Sequence, residues 1–209
     1  DGERVYAQAG ALLSKTAAVA CEASLTGMEF ASGIPGTLGG ALRMNAGAYG
    51  GEMKQIVESA EVLTSEGEVL NLTNEELGMG YRTSVIAKND YVALSAVLKL
   101  EKGDRQEIRA YMEDLKERRV TKQPLEFGSA GSTFKRPEGY FAGKLIQDSG
   151  MQGYRVGDAQ VSEKHCGFVI NRGNATAAEV MQLMKDVADR VEEKFGVRLE
   201  PEVRRIGEF

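Results

Sequence analysis

Eight of the 25 glycines in this chain lie between Gly27 and Gly51. Glycine is entropically costly to order, so this density points to a backbone with special work. One such task is holding an anion with converging backbone N–H groups, which side chains at those positions would obstruct. Gly33, Gly36, Gly39 and Gly40 have that potential, with Asn45 and Gly47 as neighbouring polar contacts. The stretch is not a Walker A loop, because no Gly-Lys-Ser/Thr follows. It is not a dinucleotide fingerprint of the Gly-x-Gly-x-x-Gly kind either, because the spacing differs. A tight structural loop packed on a sheet explains the same glycines, and the residues alone leave both readings open.

Other side chains pose the same choice. Ser132 sits in Gly128-Ser129-Ala130-Gly131-Ser132, which lacks the Gly-x-Ser-x-Gly spacing of a hydrolase elbow. Its hydroxyl can instead give a proton to a developing carbanion if nearby cations favour the alkoxide. Lys122, Lys135 and Arg136 are close in sequence, but a serine in a turn is the plainer reading. Arg82, in Tyr81-Arg82-Thr83-Ser84, is either a carboxylate or phosphate clamp or a solvated surface cation. Glu200, Glu202 and Arg204 alternate, as residues on one face of a strand do, and an exposed ion-pair strand is their plain reading. His165, the single histidine, reads as structural or peripheral. With one histidine, no multi-histidine metal site can form, and no metal ligand set is expected. Cys21 and Cys166 cannot build a disulfide framework and are expected as reduced, half-buried thiols, consistent with a cytoplasmic protein.

The elements that must carry these residues follow from pattern. The 209 residues, 42% hydrophobic and 27% charged, suffice for a core in one or two domains. The net charge of −5 argues against nucleic acid as a partner, and no apolar run reaches membrane-span length. A strand at 4–9 precedes an Ala/Leu-rich helix from Ala11 to about Glu22. Within the glycine segment only Thr37 to Met44 can make a helical turn. Residues 54–72 read as a hairpin around Ser65-Glu66-Gly67-Glu68, and 91–100 as a strand. Gly103-Asp104 opens an amphipathic helix with Ile108, Met112 and Leu115 on its apolar stripe. The Gly/Ser stretch 128–132 reads as a loop, 143–149 as a short helix and 166–171 as a strand. Thr176 with Glu179 forms a capping box for a helix whose stripe runs to Phe195, and Gly196 stops it. Residues 197–206 read as extended. The order is α+β, divided as 1–103, 104–196 and a tail, 197–209, returning to the site.

Five segments taken together resemble one family. They are SGIPGTLGGALRMNAGAYGGE (32–52), MGYRTS (79–84), TKQPLEFGSAGSTFKRPEG (121–139), AGKLIQDSGMQGYRVGDAQVSEKHCGFVINRGNATAAEV (142–180) and VRLEPEVRRIGE (197–208). In order, and over nearly the whole chain, they are similar to the bacterial UDP-N-acetylenolpyruvoylglucosamine reductases (MurB). The short Tyr81-to-Tyr91 connection and Val161-Ser162-Glu163-Lys164-His165 resemble its type II branch, which lacks an inserted substrate-capping loop.

That resemblance implies a second FAD-binding subdomain of the vanillyl-alcohol-oxidase-like type plus a smaller α+β substrate-binding domain. It implies FAD as cofactor and NADPH as reductant. The implied reaction converts UDP-N-acetylglucosamine enolpyruvate to UDP-N-acetylmuramate for peptidoglycan, in the cytoplasm. By motif match, Arg82 and Glu202 would stabilise the enolate at the substrate carboxylate and Ser132 would protonate C2. Gly33, Ile34, Gly36, Thr37, Gly39, Gly40, Asn45, Gly47 and Arg204 match flavin-contacting stretches. Tyr81 and Lys122 match substrate contacts, joined by Arg136, which stands where many relatives carry Asn. The resemblance begins after a first FAD-binding subdomain of the family, so the chain is expected to correspond to the C-terminal two-thirds. A nucleotide-sugar-binding fragment without catalysis, or a flavin oxidoreductase of the same fold with another substrate, are the alternatives.

Overall fold

The computed structural model describes residues 2–207, which divide into two compact units at Arg119/Val120. The first begins with β1 (Arg4–Gln8), α1 (Leu13–Glu22) and β2 (Leu25–Thr26). The glycine segment follows, with α2 (Leu38–Met44) and two minimal strands, β3 (Gly47–Ala48) and β4 (Gly51–Glu52). Then come β5 (Val57–Leu63), β6 (Val69–Thr73), α3 (Val85–Lys88), β7 (Val92–Lys99), β8 (Glu101–Lys102) and α4 (Arg105–Lys122), whose last turn opens the second unit.

The main sheet runs β1-β7-β5-β6, all pairs antiparallel. The expected hairpin is β5–β6, with Ser59 opposite Thr73 and Leu63 opposite Val69. One sheet face packs on α1 and α2 through a core that includes Leu13, Leu38, Leu42, Val62 and Leu98. The strand read at 91–100 forms as β7, buried mainly in its second half. Ala96 and Leu98 are buried, whereas Val92 stays 57% exposed at the sheet's end.

The change of domain expected at residue 103 falls instead at 119/120. The cause is the stripe of α4. Met112 packs against the first core, and the position of a Cβ on Gly103 lies 3.2 Å from both Ile108 Cδ1 and Thr26 Cβ. Asp104 caps the helix, its Oδ1 accepting from Gln106 and Glu107 N–H at 2.8 and 3.0 Å.

The second unit contains β9 (Gly128–Ser132), α5 (Ala142–Asp148), β10 (Arg155–Val156), β11 (Ala159–Val161), β12 (Phe168–Asn171) and α6 (Ala177–Phe195). Its sheet runs β10-β11-β12-β9, again antiparallel. The apolar stripe of α6, Leu183, Met184, Val187 and Val191, closes the core. The capping box at Thr176 forms as read, with Thr176 N–H donating to Glu179 at 2.8 Å and Glu179 N–H to Thr176 Oγ1 at 3.2 Å. Gly196 ends the helix in left-handed conformation, φ +67°. Two readings need correction. The Gly/Ser stretch is an edge strand, β9, because β12 supplies its ladder from far along the chain. Among the described residues the tail makes no continuous strand, only one bridge, Phe134 with Pro201.

Candidate functional site

In the first unit the glycines separate into two groups. Gly39 and Gly47 are explained by packing. A Cβ on Gly39 would meet Ala9 Cβ at 2.9 Å, and one on Gly47 would meet Gly51 O at 2.7 Å. Gly33, Gly36 and Gly40 are exposed, and nothing lies within 4 Å of a Cβ on Gly36, whose φ is +135°. Gly33 carbonyl accepts from the Arg119 guanidinium, which also stacks 5.7 Å from the Tyr49 ring centroid. Ile34 packs half-buried on the core. Thr37 caps α2, its Oγ1 accepting from Gly40 N–H at 3.5 Å. Within this stretch Ile34, Leu38 and Gly39 N–H are taken by Ala31, Ala11 and Ala9 carbonyls, so Gly33, Gly36 and Gly40 are the exposed glycine positions left for a cofactor.

Asn45, expected as a cofactor contact, has another task. It is 1% exposed and holds the left-handed C-cap of α2. Its amide donates to Glu52 Oε2 at 3.0 Å and to Gly80 O at 3.1 Å, and its oxygen accepts from Lys54 N–H at 2.8 Å. The side chain is satisfied within the protein, so it ties α2 to the turn that carries Tyr81 and Arg82.

That turn is tight. Gly80 and Thr83 exchange backbone hydrogen bonds at 3.0 and 3.2 Å, leaving Tyr81 and Arg82 at the tip. Arg82 has φ +55°, a left-handed conformation that costs a non-glycine residue about 1–2 kcal/mol. The turn is pinned on its other side by buried Ser84, whose hydroxyl donates to Arg43 O at 2.9 Å. The Arg82 guanidinium lies 4.9 Å from the exposed Tyr81 ring. Sequence reasoning found Arg82 but missed the Asn45–Gly80 tie. The usable signal was an asparagine just past a short helix, where a left-handed cap is favoured.

The second unit brings the Glu202 backbone to Thr133, the residue after Ser132. Between Ser129 and Ser132 the ladder to β12 slips by one residue, a bulge on β9 with Gly131 at φ +84°. Bulges of this kind re-aim the following side chain. Ser132 is exposed at the strand's end. Beside it Thr133 is a buried junction. Its N–H donates to Gly167 O at 2.8 Å, its hydroxyl oxygen accepts from Val169 N–H at 2.9 Å, and its carbonyl accepts from Glu202 N–H at 2.9 Å. The tail, with Leu199 2% exposed, thus delivers half-buried Glu202 one residue from Ser132. Glu200 pairs instead with Lys135 at 3.0 Å on the surface.

The remaining predicted residues are exposed. Arg136 stacks on Phe141 at 4.0 Å and donates to Tyr140 O at 3.3 Å. Lys122 ends α4, and its charge is felt at His165. Arg204 lies on the tail's surface. Burial pushes the His165 imidazole below its usual range, and the Lys122 charge adds to this. Burial likewise raises the Cys166 thiol. Both cysteines are buried rather than half-buried. Among the described residues no helix is long and apolar enough to cross a membrane, and no cluster of three metal-ligating side chains occurs.

Residues 123–206 match the family model described as UDP-N-acetylenolpyruvoylglucosamine reductase, C-terminal domain, and residues 1–73 match a FAD binding domain. A UDP-N-acetylenolpyruvoylglucosamine reductase of Alkaliphilus oremlandii is 62% identical over 100% of this chain and 68% of its own length. Those of Agathobacter rectalis and Lachnoclostridium phytofermentans are each 60% identical, with 98% and 100% of this chain aligned. The chain spans 65% of the former relative and 67% of the latter. Among solved structures, the crystal structure of the Thermus caldophilus UDP-N-acetylenolpyruvylglucosamine reductase superposes with a TM-score of 0.83. It is 38% identical, over 96% of this chain and 71% of that one. An α+β chain with a FAD-binding-type first part and this C-terminal domain belongs to the UDP-N-acetylenolpyruvoylglucosamine reductase family.

Proposed function

We propose that the chain is the C-terminal part of an enzyme that reduces UDP-N-acetylglucosamine enolpyruvate to UDP-N-acetylmuramate with NADPH, in peptidoglycan precursor synthesis. The observation that carries this reading is the junction at Thr133, which joins the Ser132 strand to Glu202 by one backbone hydrogen bond. It is supported by the family match around it.

FAD, when bound, supplies hydride transfer between the nicotinamide and the enolpyruvyl carbon C3. The exposed backbone at Gly33, Gly36 and Gly40 suits it, with Ile34, Thr37 and Arg204 as further candidate contacts. Hydride arrival at C3 leaves an electron pair at C2, delocalised into the substrate carboxylate. A cation fixed beforehand at that carboxylate lowers the barrier, and Arg82 is the candidate. Ser132 gives its proton to C2, closing the C–H bond. Glu202 is the carboxyl partner that shares the developing charge as an acid. Tyr81, Lys122 and Arg136 are the candidate contacts to the nucleotide sugar, the two cations toward its diphosphate. The hydride, this proton and the substrate together account for every atom of the product.

The test is NADPH oxidation with added FAD, with and without the enolpyruvyl substrate. It is run on this chain and on a fusion carrying the N-terminal third of the Alkaliphilus oremlandii relative. Substrate-dependent oxidation by the fusion is the expected result. Oxidation indifferent to substrate in both proteins overturns the substrate assignment.

A further inference from the structure

The single histidine lies outside the chemistry above, yet it sits at the turn that leads into β12, the ladder partner of the Ser132 strand. His165 carbonyl accepts from Phe168 N–H at 3.0 Å, and His165 Nδ1 accepts from Gly167 N–H at 3.1 Å. Gly167 in turn accepts from Thr133 N–H at 2.8 Å, and Phe168 is the ladder partner of Ser132. The ring meets Phe168 edge-on at 5.0 Å. It also fills the space beside two glycines. A Cβ on Gly167 would lie 2.9 Å from His165 Cε1, and one on Gly143 3.3 Å from it. Ser162 closes the turn from below, its hydroxyl oxygen accepting from Lys164 and His165 N–H at 3.2 and 3.3 Å.

We propose that His165 is a positioning residue for Ser132, its neutral imidazole holding the N–H of Gly167, the residue whose carbonyl orients the Thr133 junction. The claim rests on Ser132 being the proton donor. Nδ1 can accept from Gly167 only while unprotonated, which assigns the remaining proton to Nε2. Protonation would set two donors face to face and break the first link of the chain. It would also add a second positive charge near Lys122, the charged group that faces the ring from α4. Lys164 is turned away to Val120 O at 3.0 Å and Glu126 at 3.8 Å, and Lys144 on α5 is bound to Asp148 at 2.5 Å. Phe168 and Gly143 bring no charge. Burial holds the imidazole below its ordinary 6.5, so the folded state prefers it neutral. Its contribution to stability is full above pH 6.5 and is lost as pH falls from 6.5 through the folded value.

Because the sequence has one histidine, nitrogen-15 NMR of this chain reads a single imidazole. The expected spectrum has Nε2 protonated and Nδ1 bare, with a midpoint below 6.5. The amide signals of Gly167, Thr133 and Ser132 move with that same midpoint. In His165→Asn the side-chain carbonyl takes over as acceptor two residues before Gly167, so these amides stay in place and stop titrating. His165→Phe displaces them at every pH. Amides of Gly167 and Ser132 that ignore the histidine, or a ring protonated at Nδ1 when neutral, overturn the proposal. If His165→Phe does not fold, the titration of the unmodified chain and of His165→Asn decides. In the fusion enzyme, the substrate-driven step is expected to slow ~10-fold or more in His165→Phe and recover in His165→Asn. An unchanged rate in His165→Phe also counts against it. If the unmodified fusion shows no substrate-driven step, the activity reading fails and the NMR outcome stands on its own.

Discussion

The two units hold their candidate reactive groups by different means. Arg82 sits at the tip of a two-residue turn in a backbone conformation that arginine disfavours. Buried side chains fasten that turn, Asn45 at Gly80 and Ser84 at Arg43 O. Ser132 sits on a strand whose strain falls on a glycine, Gly131, and whose fastening is almost wholly backbone to backbone. The first arrangement stores strain at the candidate residue itself. The second moves it one position away. A cation that must be aimed tolerates such a cost when its surroundings over-determine it. A hydroxyl at a strand end gains its direction from a bulge without strain of its own.

The sharpest way to break the second arrangement is at its reactive atom. Ser132→Ala in the fusion enzyme should slow the substrate-driven step by about 10²–10⁴-fold, the usual worth of a positioned acid. Flavin reduction by NADPH, followed by stopped-flow absorbance, should remain. An unchanged substrate-driven step would remove Ser132 as proton donor. The first arrangement breaks at its clamp. Asn45→Ala removes three hydrogen bonds from a buried left-handed position, at a cost of about 2–4 kcal/mol in urea unfolding. Asn45→Gly should recover only the backbone part, about 1 kcal/mol. An Asn45→Gly variant as stable as the unmodified chain would make the tie to Gly80 irrelevant. The smallest effect sharpens the contrast directly. Arg82→Gly relieves φ +55° and should leave stability equal or raised by up to about 1 kcal/mol, while weakening turnover in the fusion. A clear loss of stability would show that the guanidinium, not the turn, holds that corner.

What could be read from sequence was local. The capping box at Thr176, the hairpin about Gly67 and the stripe of α4 are signals carried within a few residues, and each formed. What could not be read depended on distant partners. Gly128–Ser132 has the composition of a loop, and only pairing with Phe168–Asn171 makes it a strand. The bulge that aims Ser132 has no sequence mark beyond Gly131. The unit boundary moved because the stripe of α4 found the first core, which its own periodicity cannot specify. Of the glycines read as one cradle, Gly39 and Gly47 turned out to be close-packing positions, a distinction set by neighbours such as Ala9. Asn45 was singled out for its polarity, but its place after α2 decided its role.

The docking of the tail has a kinetic meaning. Glu202 lies 70 positions beyond Ser132, and without the bridge at Pro201 the two would meet only as often as a long loop closes. Leu199 buried in the core, with the bonds from Lys135 and Glu202 N–H, turns that encounter into a standing one. The local concentration of the Glu202 segment beside the Ser132 strand is therefore set by how firmly a leucine three positions before it is seated.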